Sequence, residues 1–215
     1  MSLISIGMKP TCISHIMIKR FYPVILLSVF LTASLSAQTD PRDAGSTASN
    51  SRNVPVTLFD TDDVLDISIK FDINKYKRFK SDTMYLPAVL SYQSDEGDSV
   101  VKNIKLRARG NIRRTAICDF PPMMFNFKVK DVENTEFAGI NKLKIVPYCR
   151  SGYEQYVLKE YLVYKLFNIV TDYSLRVRLL RISYLNSVKE KKTLTQYGFA
   201  IEPLDVMERR TGTVE

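Results

Sequence analysis

The 215-residue chain carries 31 Lys and Arg against 23 Asp and Glu, for a net charge of +8, and is 45% hydrophobic and 25% charged. This is the balance of an ordinary globular protein with enough apolar residues to bury its own core. The basic excess is modest and no aromatic-plus-basic signature accompanies it, so the sequence does not read as a nucleic-acid binder.

Residues 1–37 hold Lys9, Lys19 and Arg20 and no acid, which leaves 28 basic residues against 23 acidic ones in the remainder. Lys19-Arg20, the apolar run from Phe21 to Leu35 and the small-residue exit Leu35-Ser36-Ala37-Gln38 have the three parts of a secretory signal, with cleavage expected after Ala37. The run is about 15 residues long, short of the ~20 that a spanning helix needs, so no membrane anchor is expected after cleavage. Met17-Ile-Lys-Arg sets the charges at the amino end better than Met1 does, which makes residues 1–16 an expected upstream extension of the true start. Cys12 lies too early to be a lipoprotein cysteine at the cleavage point, and none stands at position 38. The expected location is therefore outside the cytoplasm: periplasmic, cell-surface or secreted.

Cleavage also removes His15, the only histidine, and Cys12. A remainder without imidazole excludes Ser-His-Asp and Cys-His mechanisms within it, and zinc sites built on histidine. Cys118 and Cys149 are left. Two arrangements fit them: separate buried thiols, or one bond tying the loop after the first cationic strand to the end of the Leu143–Val146 strand, worth about 3 kcal/mol.

Residues 38–53 are rich in Ser, Thr, Asp, Asn and Gly and predict a disordered linker, with an ordered domain over 54–215. Val64 to Phe71 alternates, with Leu65, Ile67, Ile69 and Phe71 on one side, and predicts a strand. Asp72 to Lys80 predicts a short helix capped by Asp72. Tyr85 to Tyr92 predicts a second strand, at a sheet edge because of Pro87. A turn at Asp95-Glu-Gly97-Asp leads into a third strand, Val100 to Arg109, as a hairpin.

From this point the strands carry cations. In the third strand Ile104, Leu106 and Ala108 face inward and Lys105, Arg107 and Arg109 share the other side. Over Met123 to Lys130, Asn126, Lys128 and Lys130 oppose Phe125, Phe127 and Val129, and Lys142 and Lys144 oppose Leu143 and Ile145. Singly these cations fit the solvated face of an antiparallel sheet; together they fit one anion-binding surface. Gln155 to Val170 predicts a helix packed through Leu158, Leu162, Leu166 and Ile169. Glu160 stands beside that stripe, where a carboxylate needs a partner, either a cation from the sheet or a neighbour such as Tyr164 or Lys159. Arg176 to Leu185 and Tyr197 to Ile201 predict two further strands around a Lys-rich turn at Lys189–Lys192. Glu202-Pro203 breaks the second of them, and Asp205 to Arg210 begins a helix.

Arg107-Ala-Arg-Gly110, the Lys128 strand, Phe137-Ala-Gly-Ile-Asn-Lys-Leu-Lys144, Leu158-Lys-Glu160, Tyr184-Leu-Asn186 and Gly198-Phe-Ala-Ile-Glu202 follow one another in an order that resembles the CotH-like, spore-coat-type secreted kinases. The resemblance spans about residues 55–210 and points to an exported bacterial branch with a Cys-Asp-Phe-Pro-Pro segment. It implies an α+β fold, a largely antiparallel twisted sheet with one long packed helix, like the amino lobe of a divergent kinase-like fold. It further implies ATP and magnesium as cofactors, and an exported or cell-surface protein as acceptor. Arg107, Arg109, Lys128 and Lys144 become candidates for the nucleotide phosphates. Glu160 becomes the catalytic helix carboxylate that positions a sheet cation, with Lys128 or Lys144 favoured as that cation, and Glu202 becomes a hinge-region residue. Phosphoryl transfer needs such placement and charge neutralisation around the phosphates.

The family's metal-binding and catalytic acids lie in a second lobe, which would begin near Glu215, where this sequence stops. No His-Arg-Asp, Asp-Phe-Gly, Walker or Gly-rich phosphate motif occurs in it. The expectation is an amino-lobe fragment inactive on its own. The competing reading is a non-catalytic exported binding or structural domain whose basic sheet face docks an acidic polymer or an envelope protein.

Overall fold

A computed structural model of the chain describes residues 54–94, 97–189 and 194–213. The expected leader and linker, the Asp95-Glu96 part of the first turn and residues 190–192 of the Lys-rich turn lie outside the described residues.

The period-2 runs form strands because each buries one face. β1 (Leu65–Phe71) buries Leu65, Ile67, Ile69 and Phe71. β2 (Leu86–Gln93) buries Leu86, Ala88, Leu90 and Tyr92 and pairs antiparallel with β3 (Ser99–Ala108). β4 (Met123–Asn126) and β5 (Lys142–Val146) continue the antiparallel order. β6 (Val177–Asn186) and β7 (Leu194–Ile201) form a hairpin, with β7 beside β5.

The kinase-amino-lobe expectation fails at the next pairing. β6 also runs parallel to β1, from Leu65 opposite Leu180 to Phe71 opposite Asn186, and closes the seven strands into a mixed barrel in the order β1-β2-β3-β4-β5-β7-β6. Closure uses the free sides of β1 and β6 and leaves no sheet edge. Pro87 is accordingly not on an edge strand. It sits one residue beyond the last β1 partner, Ala88, so β1 asks no hydrogen bond of it.

Inside the barrel Phe125, Leu106, Ile69, Leu90, Met123, Leu143 and Ile145 are wholly or almost wholly buried. Each such side chain contributes about 1.5–3 kcal/mol of transfer free energy relative to exposure. Gly198 keeps the wall close: a Cβ there would lie 2.8 Å from Ile182 Cδ1 and 2.9 Å from the Val146 carbonyl.

Both ends are plugged. At the end where β1 and β6 finish, Phe120 stacks on Tyr148 and meets Tyr184 edge-on, with Tyr76 of α1 (Ile73–Phe79) beside it. Asp72 caps α1 as expected, its Oδ1 accepting from the Lys75 amide at 2.9 Å. Cys118 and Cys149 are joined as a disulfide, and the Phe120 amide donates to the Cys149 carbonyl, so the bond holds the aromatic plug in place. Burial raises the Tyr76 and Tyr184 phenols well above the ordinary tyrosine value. At the opposite end Leu58, Phe127, Phe137 and Ile140 close the core, with Val206 of α3 (Leu204–Thr211).

The long helix is α2 (Glu154–Val170), and the expected packing face is wrong. It lies outside the barrel, burying Val157 and Tyr161 against Val146, Val177, Phe199 and Ile201. Of the expected stripe, Leu162, Leu166 and Ile169 point outward, Ile169 with 81% of its surface accessible, and Val163, Phe167 and Val170 join them. The helix is apolar nearly all round, so the barrel takes one side and leaves another uncovered.

Candidate functional site

The strand register assembles the cations that the sequence singled out. Opposite residues share a face, so Lys105, Asn126 and Lys142 form one row across β3, β4 and β5, and Arg107, Met124 and Lys144 form the next. Their inward neighbours Leu106, Phe125 and Leu143 are core residues, which turns both rows outward. Lys105, Arg107, Lys142 and Lys144 thus stand at the corners of a patch about 10 Å across the strands and about 7 Å along them. None of the outward positions of β2 to β5 is an acid.

The patch acts on its neighbours. Tyr85 borders it, with the Arg107 guanidinium 5.4 Å from its ring centre. Partial burial alone would raise the Tyr85 phenol, but Arg107, Asn126 and Lys142 bring it below the ordinary tyrosine value. Arg107 Nη1 also donates to the Asp82 carbonyl, which fixes its guanidinium.

Arg109 continues the β3 series toward α2. It is half-buried, and desolvation lowers it from the usual arginine value; Tyr164 and Glu160 on α2 favour its charge, and Arg113 and Arg107 oppose it. Glu160 pairs with Arg113 at 2.8 Å, the two side chains 29% and 46% exposed. Arg113 belongs to a π-helical turn, Arg113–Ile117, that follows β3. The cation expected for Glu160 from the sheet, Lys128 or Lys144, is therefore replaced by a loop arginine that the strand pattern did not flag. The edge of the cationic face is thus Arg107, Arg109 and Arg113, bounded by Glu160 and Tyr164.

Lys128 is placed differently. β4 ends at Asn126, and Val129–Asp131 is a single 3-10 turn, so Lys128 lies past the strand and fully outward. It lines an adjoining cleft with Lys70 and with Lys105, a corner of the patch. Among the nucleotide-phosphate candidates, then, Arg107, Arg109 and Lys144 share a face, and Lys128 stands apart.

Glu202 is a third environment. It follows β7 at the plugged end opposite the disulfide and is 0% exposed. One carboxylate oxygen accepts from the Arg176 backbone amide at 2.9 Å and from Arg210 Nη2 at 3.0 Å, the other from Arg176 Nε at 2.9 Å and Arg210 Nε at 3.2 Å. Arg176 also pairs with Asp60 at 2.7 Å, and Arg210 donates to the carbonyls of Asp172 and Ser174. Four donors saturate the carboxylate, so the group binds α3 and the loop before β6 to the barrel instead of offering an acceptor to a ligand.

Among the described residues no group of three or more Cys, His, Asp and Glu is arranged to hold a metal ion, and no helix is long and apolar enough to cross a membrane. No family model, curated protein or solved structure matches the chain.

Proposed function

We propose that this chain is an exported anion-binding domain that holds a multiply charged ligand across the outward faces of β3, β4 and β5. The observation that carries this reading is the two-row register that brings Lys105, Arg107, Lys142 and Lys144 onto one acid-free patch. Paired cations at ~7–10 Å spacing suit a ligand with repeated charges, such as a polyphosphate or an acidic surface polymer, better than a single carboxylate. Met124 and Asn126 at its centre supply an apolar contact and an amide without adding charge. The leader-like residues 1–37 support export, and the Cys118–Cys149 bond suits an oxidising compartment.

A second reading has its own support. Arg109 and Arg113 lie beside Glu160, a carboxylate on a helix next to cations, and the CotH-like resemblance names Arg107, Arg109 and Glu160, though not Arg113, for a nucleotide site. On that reading the ligand is magnesium-ATP, bound at the α2 side of the same face, and the acceptor is an exported or surface protein.

One titration series tests both. Inorganic polyphosphate and magnesium-ATP are each titrated into the purified chain at low and physiological salt. Polyphosphate is expected to bind, to weaken as salt rises, and to lose about tenfold or more in affinity in Lys142→Glu/Lys144→Glu. Unaltered affinity in that variant, or no binding at low salt, overturns the anion-binding reading. A melting temperature unmoved by millimolar magnesium-ATP overturns the nucleotide reading alone.

A further inference from the structure

A second cleft lies on the outer wall over β1 to β4, away from α2. It has a volume of about 630 Å³ and is lined by Lys70, Lys105 and Lys128, with Asn103 and Asn126. Apolar surface dominates between these polar groups, supplied by Pro87, Val89 and the wall around Ala88 and Ile104. The register explains the arrangement: Lys70, Val89 and Asn103 form one outward row, and Pro87, Lys105 and Asn126 the next. Lys128, carried past the end of β4, adds the third cation.

Two features set this cleft apart from the flat patch on β3 to β5. It is concave and mainly apolar, within the size range of small-ligand sites, whereas the patch is open and mainly charged. Its three lysines also have no carboxylate within ion-pair distance among the described residues, whereas Arg113, Arg114, Arg176 and Arg210 each do. An apolar hollow with three uncommitted ammonium groups is complementary to a molecule that is apolar in its body and anionic at its head.

We infer that this cleft is a binding site for an amphipathic organic anion, with the ligand's apolar body against Pro87 and Val89 and its carboxylate, sulfonate or phosphate between Lys70 and Lys128. Lysine stems add apolar cover while their heads meet the charge. The two asparagine amides orient the head group by hydrogen bonds. Lys105 and Asn126 belong to both this cleft and the patch, while Lys70 and Lys128 belong to the cleft alone, which makes the two sites separable by mutation.

The test uses anilinonaphthalene sulfonate as probe and its uncharged parent, phenylnaphthylamine, as control, with binding followed by amide NMR spectra of the full chain. The sulfonate is expected to bind saturably and to shift the amides of Val89, Asn103, Lys105 and Asn126. Lys70→Glu/Lys128→Glu is expected to weaken it about tenfold or more and, at physiological salt, to weaken polyphosphate clearly less than Lys142→Glu/Lys144→Glu does. These positions are exposed, so the variant keeps the wild-type melting temperature as its folding control. Shifts confined to Leu162–Val170 of α2, an affinity unchanged in the double variant, or equal binding of the uncharged parent would each overturn the inference. Loss of polyphosphate binding together with the sulfonate would overturn it too, because the two sites would then be one.

Discussion

Glu160 and Glu202 are both glutamates held by arginine, yet they sit in opposite conditions. Glu202 is wholly buried at one plugged end of the barrel, with two guanidiniums and a backbone amide filling its four acceptor contacts. Glu160 rests on the outer side of the molecule with a single arginine, and both partners reach solvent. A buried ion cluster is costly to break, because removing one member leaves the others desolvated and unpaired. An exposed pair is worth only about 0–1 kcal/mol, because water replaces either partner. The same pairing is therefore architecture at one site and an adjustable contact at the other.

The strongest way to break this contrast is to remove the buried charge. Glu202→Gln keeps the shape but leaves Arg210 without a carboxylate and Arg176 with only the more exposed Asp60, and is expected to cost about 3 kcal/mol of unfolding free energy. The denaturant midpoint measures it. Since a domain of this size has about 5–15 kcal/mol in all, such a loss is easily seen. A loss below about 1 kcal/mol would place Glu202 with the surface pairs and return its carboxylate to the list of ligand acceptors.

The opposite end of the barrel is held by covalent chemistry instead. Replacing both Cys118 and Cys149 by Ala is expected to cost about 3 kcal/mol, because the bond closes a span of 31 residues in the unfolded chain and anchors the Phe120 plug. The check is the same denaturant midpoint, with and without reductant for the wild type. If reductant and double substitution both leave the midpoint unmoved, the aromatic cluster of Phe71, Tyr76, Phe120, Tyr148 and Tyr184 holds that end alone.

These ends were only partly legible in the sequence. Alternation marked the strands of the first half of the sheet because one face of each is buried, and it turned Lys105, Arg107, Lys142 and Lys144 outward correctly for the same reason, but it carried β4 four residues too far, and only Tyr197–Ile201 of β7 was found. Closure was not legible, because the parallel pairing of β1 with β6 joins segments more than a hundred residues apart and leaves no local pattern. The face of α2 was misread since Leu, Val, Ile and Phe occur on nearly every side of it, and periodicity then selects no direction. Arg113 was missed because Asn111 to Ile117 has neither strand nor helix periodicity, although Arg113 and Arg114, four and five positions after Arg109, were a usable hint. The position of Glu202 at a strand end was legible; its partners Arg176 and Arg210, 26 and 8 residues away, were not.

The smallest stability effect carries the most functional information. Glu160→Gln is expected to change the unfolding free energy by less than about 1 kcal/mol, since Arg113 loses only an exposed partner. Its effect on ligands depends on what the carboxylate does. If Glu160 merely borders the cationic face, losing its negative charge strengthens the local positive potential, and polyphosphate binds about two- to fivefold tighter at low salt. If Glu160 positions Arg113 and Arg109 for nucleotide phosphates, the same substitution loosens them and magnesium-ATP binds more weakly, while polyphosphate, spread over Lys142 and Lys144, is little altered. The sign of the change in the two titrations separates a bordering charge from a positioning one. Opposed signs for the two ligands would assign the β4 to β5 cations to a polymer and the Arg109 to Arg113 edge to a nucleotide.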